Sequence, residues 1–258
     1  MKIPNDLKET ELFKFLKENK EDILYAKKTQ FKKADSISIS STSLNKTFAN
    51  KSEVLLDKNE ITVRAIINTT NVVDSHKDVH INGIWNKSIS ENKNIKFLQE
   101  HEMSFKTIIA DKEDLNVSVQ SVTWKSLGYD FEGSTEALTF DAVVKQKRNG
   151  EMFKQYSQGN VDNHSVGMQY VKLALAINSE EEEYKEEKEV WDKYYPKVVN
   201  NAELEKSPYF WAVTEAKVYE GSAVVMGSNS FTPTQQVKET KVEIDKETEA
   251  LKSFLNIK

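Results

Sequence analysis

Residues 60–68, EITVRAIIN, decide how the chain is to be read. Ile61, Val63, Ala65 and Ile67 alternate with Thr62, Arg64 and Ile66, the two-residue period of a strand with one strongly buried face. Downstream, NIKFLQEH (94–101), LNVSVQSVTW (115–124), EALTFDAVVK (136–145), SVGMQYVKLALAI (165–177) and YFWAVTEAKVYEGSAVV (209–225) carry further strand signals. Short helices are expected at GIWNKSISEN (83–92) and GEMFKQYSQG (150–159), the second closed by Gly159 in a C-cap role. Many strands with a few intervening helices predict an α+β domain over residues 60–232, built on an antiparallel sheet or barrel.

Upstream the pattern differs. Residues 5–30 read as a helix: Asp6 with Glu9 resembles a capping pair, and Leu12, Phe15, Leu16, Ile23 and Leu24 recur at helical spacing. The Ser/Thr/Asn-rich stretch 35–52 reads as a linker, so residues 1–59 are expected to form a helical arm. Residues 179–206 interrupt the strands with Glu and Lys until Trp191, Tyr194 and Tyr195, and predict a solvated helical excursion between two core strands. Residues 233–258, after Pro233, read as a second amphipathic arm with Leu251, Phe254 and Leu255 on its apolar face.

Composition narrows the function classes. The chain has 258 residues, no cysteine and a formal charge of −5, which excludes disulfides, thiolate metal sites and cysteine nucleophiles. A reducing, intracellular setting is the simplest expectation. The negative charge and the presence of only two arginines, Arg64 and Arg148, argue against dedicated nucleic-acid binding. No apolar run is long enough to span a bilayer, and no membrane association is expected.

The four histidines, His76, His80, His101 and His164, are the natural starting points for chemistry. DSHKDVH (74–80) puts Asp74, His76, Asp78 and His80 at alternate positions, so an extended chain would project all four to one face, as a metal cluster or a polar surface. HEMSF (101–105) begins like a zinc-protease helix but has Phe105 where the second histidine belongs. If NIKFLQEH is a strand throughout, His101 shares a face with Ile95, Phe97 and Gln99. In NVDNHSVGMQY (160–170), Ser165, Gly167 and Gln169 point one way and Val166, Met168 and Tyr170 the other, and His164 faces away from Ser165. Glu220, in AKVYEGSAVV (216–225), is a carboxylate on a strand otherwise rich in Ala and Val. A serine nucleophile needs a base, and the base needs a third group to fix its tautomer.

The order FLQEH (97–101), GNVDNHSVGM (159–168) and YEGSAVVMGSN (219–229), preceded by VVDSHKDVHINGIWNKSI (72–89), resembles the caudoviral prohead serine proteases, the capsid-maturation enzymes of tailed phages. Two departures are Ala110 in TIIAD (107–111), where the family has a glycine, and the acidic insertion that separates Ser165 from Glu220. The resemblance implies a herpesvirus-assemblin-like fold, a compact β-barrel flanked by helices. It implies Ser165 as nucleophile, His101 as general base and acid, and Glu220 as the orienting carboxylate, with no metal or organic cofactor. Backbone N–H groups near Ser165 would serve the oxyanion, with Arg148 a further candidate. The implied substrates are the phage scaffold and major capsid precursor, cleaved inside the assembling procapsid in the host cytoplasm, with self-association or autoprocessing of the arms. The alternative is a non-proteolytic structural or scaffold component of the head that keeps the same fold.

Overall fold

The alternation in EITVRAIIN becomes the centre of β1 (Leu56–Thr69), in a computed structural model that describes residues 4, 7–29, 56–205 and 207–241. The other strands are β2 (Asp78–His80), β3 (Lys96–Gln99), β4 (Ile108–Ala110), β5 (Leu115–Thr123), β6 (Ser134–Lys145), β7 (His164–Ile177), β8 (Tyr209–Ala223) and β9 (Thr234–Lys241). The helices are α1 (Glu9–Glu18), α2 (Lys20–Thr29), α3 (Asn86–Glu91), α4 (Gly150–Ser157), α5 (Lys185–Tyr194) and α6 (Ala202–Glu205). The fold is therefore α+β, as the alternating strands require.

Two open sheets carry it. The first is antiparallel in the order β5-β6-β1-β9, with Ala65 opposite Phe140 and Val63 opposite both Ala142 and Val237. In the second, β8 is central: β7 pairs antiparallel along almost its whole length, while β2 and β3 run parallel to its two ends. β4 then adds antiparallel to β3. The expected barrel is thus corrected to two sheets face to face, the second of them mixed. No ladder joins one sheet to the other among the described residues, so the ring does not close.

Between the sheets, Ile61, Val63, Ala65 and Ile67 of β1 and Leu138, Phe140 and Ala142 of β6 meet Val166 and Met168 of β7, Val218 of β8 and Phe97 of β3. Their alternation leaves one side chain in two for this shared core. The contact is close at Gly221, where a Cβ would lie 2.7 Å from the Phe140 ring and 2.9 Å from Ile67. Ile66, on the opposite face of β1, is buried as well, in a second cluster with Trp124, Leu127 and Tyr129.

The far half of the β7–β8 ribbon is covered by helices. Phe13 and Leu16 of α1 and Ile23 of α2 pack on Leu175, Ile177 and Trp211, while Trp191 of α5 and Leu204 of α6 pack with Ala176, Phe210 and Ala212. The single helix expected over 5–30 is two, because the Asn19 side chain donates to the Phe15 carbonyl at 2.8 Å and closes α1. Of the expected capping pair, Asp6 lies outside the described residues; the cap seen is Glu11, which accepts from the Lys8 N–H at 3.1 Å. The acidic insertion is helical as expected, and it is also anchored. Glu187 is fully buried and paired with Lys17 at 2.8 Å and Lys20 at 2.6 Å.

At the other end, the residues after Pro233 form β9, so the sheet extends past residue 232 into the segment expected as a helical arm. Leu251, Phe254, Leu255 and the linker 35–52 lie outside the described residues. No described helix is long and apolar enough to cross a membrane.

Leu16 is fully buried against the sheet. Leu16→Ala is expected to lower unfolding stability by about 2–4 kcal/mol, the usual cost of a buried leucine cavity. The check is the midpoint of urea unfolding followed by tryptophan fluorescence.

Candidate active site

Strand register brings two of the candidate residues, Ser165 and Glu220, together. In the β7–β8 ladder Ser165 lies opposite Ser222 and Gly167 opposite Glu220. Directly opposed residues share a face with Cβ atoms about 4.5–5.5 Å apart. Gly221 points into the core, so Glu220 and Ser222 point out of it, on the outer face with Ser165 and Gly167. The insertion that separates Ser165 from Glu220 in sequence is the connection between these two strands, and it leaves their pairing intact.

His101 reaches this face by an irregular path. Extended strand would place it with Phe97, which faces the core; that expectation is corrected. β3 stops at Gln99, and Glu100 and His101 both take left-handed backbone conformations, φ 53° and 58°. Two consecutive non-glycine residues in this region are strained, and such strain survives only where surrounding contacts hold it. Here they do. The Glu100 N–H donates to the Ala223 carbonyl at 2.9 Å, and the His101 N–H donates to Ser222 Oγ at 3.1 Å.

The side chains then close a ring of hydrogen bonds. His101 Nδ1 donates to Glu220 Oε1 at 2.5 Å, and Ser222 Oγ donates to Glu220 Oε2 at 2.6 Å. Both carboxylate oxygens are thus used, and the imidazole is held at its backbone and its ring together. With the proton on Nδ1, neutral His101 carries its lone pair on Nε2. That nitrogen is buried and has no hydrogen-bond partner. An unsatisfied buried acceptor is costly, and catalytic groups are among the few that are kept so.

Gly167 makes the arrangement sterically feasible. A Cβ there would sit 1.8 Å from Glu220 Oε1 and 2.5 Å from its carboxyl carbon. The group that approaches this glycine so closely is the Glu220 carboxylate. Ser165 is largely buried and one pleat away, next to Ser222. It is not hydrogen-bonded to His101, whose Nε2 is unpaired. Nucleophile–base contacts are commonly longer before substrate binds.

His164 is placed elsewhere, as the alternation of the strand requires. Its Nδ1–H donates to the Thr232 carbonyl at 2.9 Å and its Nε2 accepts from the Tyr156 hydroxyl at 3.0 Å. Burial lowers its pKa to about 4, so it is a neutral structural histidine. Arg148, the further oxyanion candidate, donates to Asp111 at 2.9 Å and to the Phe105 carbonyl at 3.0 Å, and so serves to pin the loop that follows His101.

The 74–80 cluster does not form one face either. The chain turns there: Asp74 Oδ1 accepts the N–H groups of His76 and Asp78, and Lys77 is left-handed at φ 58°. Asp78 engages Lys27 and the Tyr170 hydroxyl, and His80 is held between Asn68 and Tyr170. Burial and the neighbouring Asp78 charge push Asp74 up to about 7. Among the described residues, no three His, Asp or Glu side chains converge as metal ligands.

Ser222 was missed at the level of sequence. The available signal was its position two residues after Glu220 in a strand, which puts both on one face. Compared with protein-family models, curated proteins and solved structures, the chain matches none of them.

Two outcomes follow. The short His101–Glu220 bond should give a downfield imidazole N–H resonance in proton NMR, and Gly167→Ala, by displacing the Glu220 carboxylate from His101, should remove it. Its persistence in a folded variant would refute the geometry. Because His164 titrates at about 4 when folded and 6.5 when free, the unfolded state binds more protons in between. Its contribution is complete above pH 6.5 and falls away towards pH 4, by about 3 kcal/mol in all. The stability gap between the native protein and His164→Asn should therefore narrow over that interval in urea titrations.

Proposed function

We propose that the protein is a serine endopeptidase of phage head maturation, acting on scaffold and major capsid precursors inside the procapsid. The observation that carries the chemistry is the buried His101–Glu220 pair, with Nε2 unpartnered, on the face where the β7–β8 register holds Ser165 opposite Ser222. The phage assignment and the assemblin-like fold rest on the sequence resemblance of the four motifs.

In this reading Ser165 Oγ attacks the scissile carbonyl carbon and His101 Nε2 takes its proton. The tetrahedral intermediate collapses as His101 returns that proton to the leaving amine, and water repeats the sequence to release the acyl group. Glu220 does not change protonation. It holds the tautomer and balances the imidazolium, while Ser222 fixes the second carboxylate oxygen. Every step uses groups of this chain, the peptide and water.

The test is co-expression with the major capsid precursor of the same phage, with fragments identified by mass spectrometry. Ser165→Ala and His101→Ala are expected to abolish cleavage, and Glu220→Gln to slow it on the order of 10⁴-fold, as for loss of the orienting carboxylate in other triads. Identical processing by native protein and all three variants would favour the non-proteolytic head component instead.

A further inference from the structure

Of the six large apolar side chains exposed among the described residues, four lie in two short loops: Met103 and Phe105, and Val225 and Met226. Phe105 is 87 % exposed, Val225 78 %, Met103 61 % and Met226 48 %. Scattered apolar side chains need no explanation, but a cluster at one place marks a binding surface.

The place is defined by the site. One loop, 101–107, starts with His101 itself; the other, 224–229, follows the strand that supplies Glu220 and Ser222. β3 and β8 are parallel with Gln99 opposite Ala223, so both loops leave the same end of the sheet. The second loop also lies over the residues before Ser165. Val224 N–H donates to the Asn163 carbonyl at 3.1 Å, and a Cβ on Gly227 would be 2.8 Å from the His164 carbonyl oxygen.

Neither loop is loosely held. Thr107 Oγ1 donates to the carbonyls of Glu102 and Ser104 at 2.5 and 2.9 Å, and Arg148 holds the Phe105 carbonyl. The Thr232 hydroxyl donates to the His164 carbonyl at 2.6 Å, and Asn229 Nδ2 to the Thr69 carbonyl at 3.0 Å, which fixes the base of the other loop. Apolar groups presented on tethered backbone lose little freedom when they bind.

We infer that these loops form the apolar subsites of the enzyme. Met103 and Phe105 on the His101 side, with Val225 and Met226 on the Ser165 side, would grip aliphatic or aromatic side chains of an extended polypeptide near its scissile bond. This rests on the endopeptidase reading and adds the substrate class to it: peptides with large apolar residues flanking the cleaved bond. Continuity with the nucleophile and base names the occupant as substrate. A second copy docking on the same patch is the competing outcome.

The experiment separates binding from turnover. A positional-scanning library of acetylated octapeptides is passed over immobilised full-length Ser165→Ala protein, and retained peptides are sequenced by mass spectrometry. The expected result is at least fivefold enrichment of Leu, Ile, Met, Val or Phe at one or two positions. That enrichment should be lost in Phe105→Ser and Met226→Ser combined with Ser165→Ala, with circular dichroism unchanged. No enrichment, or enrichment that both loop variants retain, overturns the proposal, as does a dimer that the loop variants dissociate without any peptide preference. Enrichment without cleavage of the same peptides by the Ser165 protein would keep the subsites and reject the endopeptidase reading.

Discussion

The antiparallel pairing of β7 with β8 is the constraint on which the rest depends. It runs from His164 opposite Ala223 to Ile177 opposite Tyr209 and so fixes, in one register, both the core and the candidate site. A slip of one residue would exchange the faces of every side chain on β7. Val166 and Met168 would leave the core, and Ser165 and Gly167 would leave the carboxylate. Hydrophobic burial therefore enforces the polar geometry on the opposite face. The helical insertion between the two strands is tolerated because it adds length only at the far end, where α5 and α6 pack under the ribbon.

At the near end, the site is a case of mutual restraint. The left-handed pair Glu100–His101 would be unfavourable in isolation. It is held by backbone bonds to Ala223 and Ser222 and by the ring bond to Glu220. Glu220 in turn is a buried carboxylate, a costly group unless its oxygens are satisfied. His101 and Ser222 satisfy them, and the absence of a side chain at Gly167 leaves the space. Each group makes the position of the next one stable, and the imidazole Nε2 is left without a partner.

Several features were legible before any fold was known. β1, β5, β6, β7 and β8 follow from two-residue alternation and β-branched or aromatic content, and the opposite orientation of His164 and Ser165 follows from adjacency in a strand. β2 and β4 were not legible, since three residues cannot display a period. β9, rich in Gln, Lys and Thr, carries no apolar stripe and is a strand because β1 offers it an edge. The alternation of Asp74, His76, Asp78 and His80 misled for a related reason: Asp74 caps a turn through its own carboxylate, a local bond that competes with extension.

Local pattern by itself determined the long strands and which of their residues face the core, because burial and alternation act between near neighbours in the chain, while the candidacy of Ser165, His101 and Glu220 came from the resemblance carried by the ordered motifs. The tertiary structure decided that the two sheets stay open, that Glu220 lies over Gly167, that Ser222 completes the carboxylate, and that His101 turns to the outer face. Those are contacts between segments tens of residues apart. They are set by register and by the space one side chain leaves for another, and no local period encodes either.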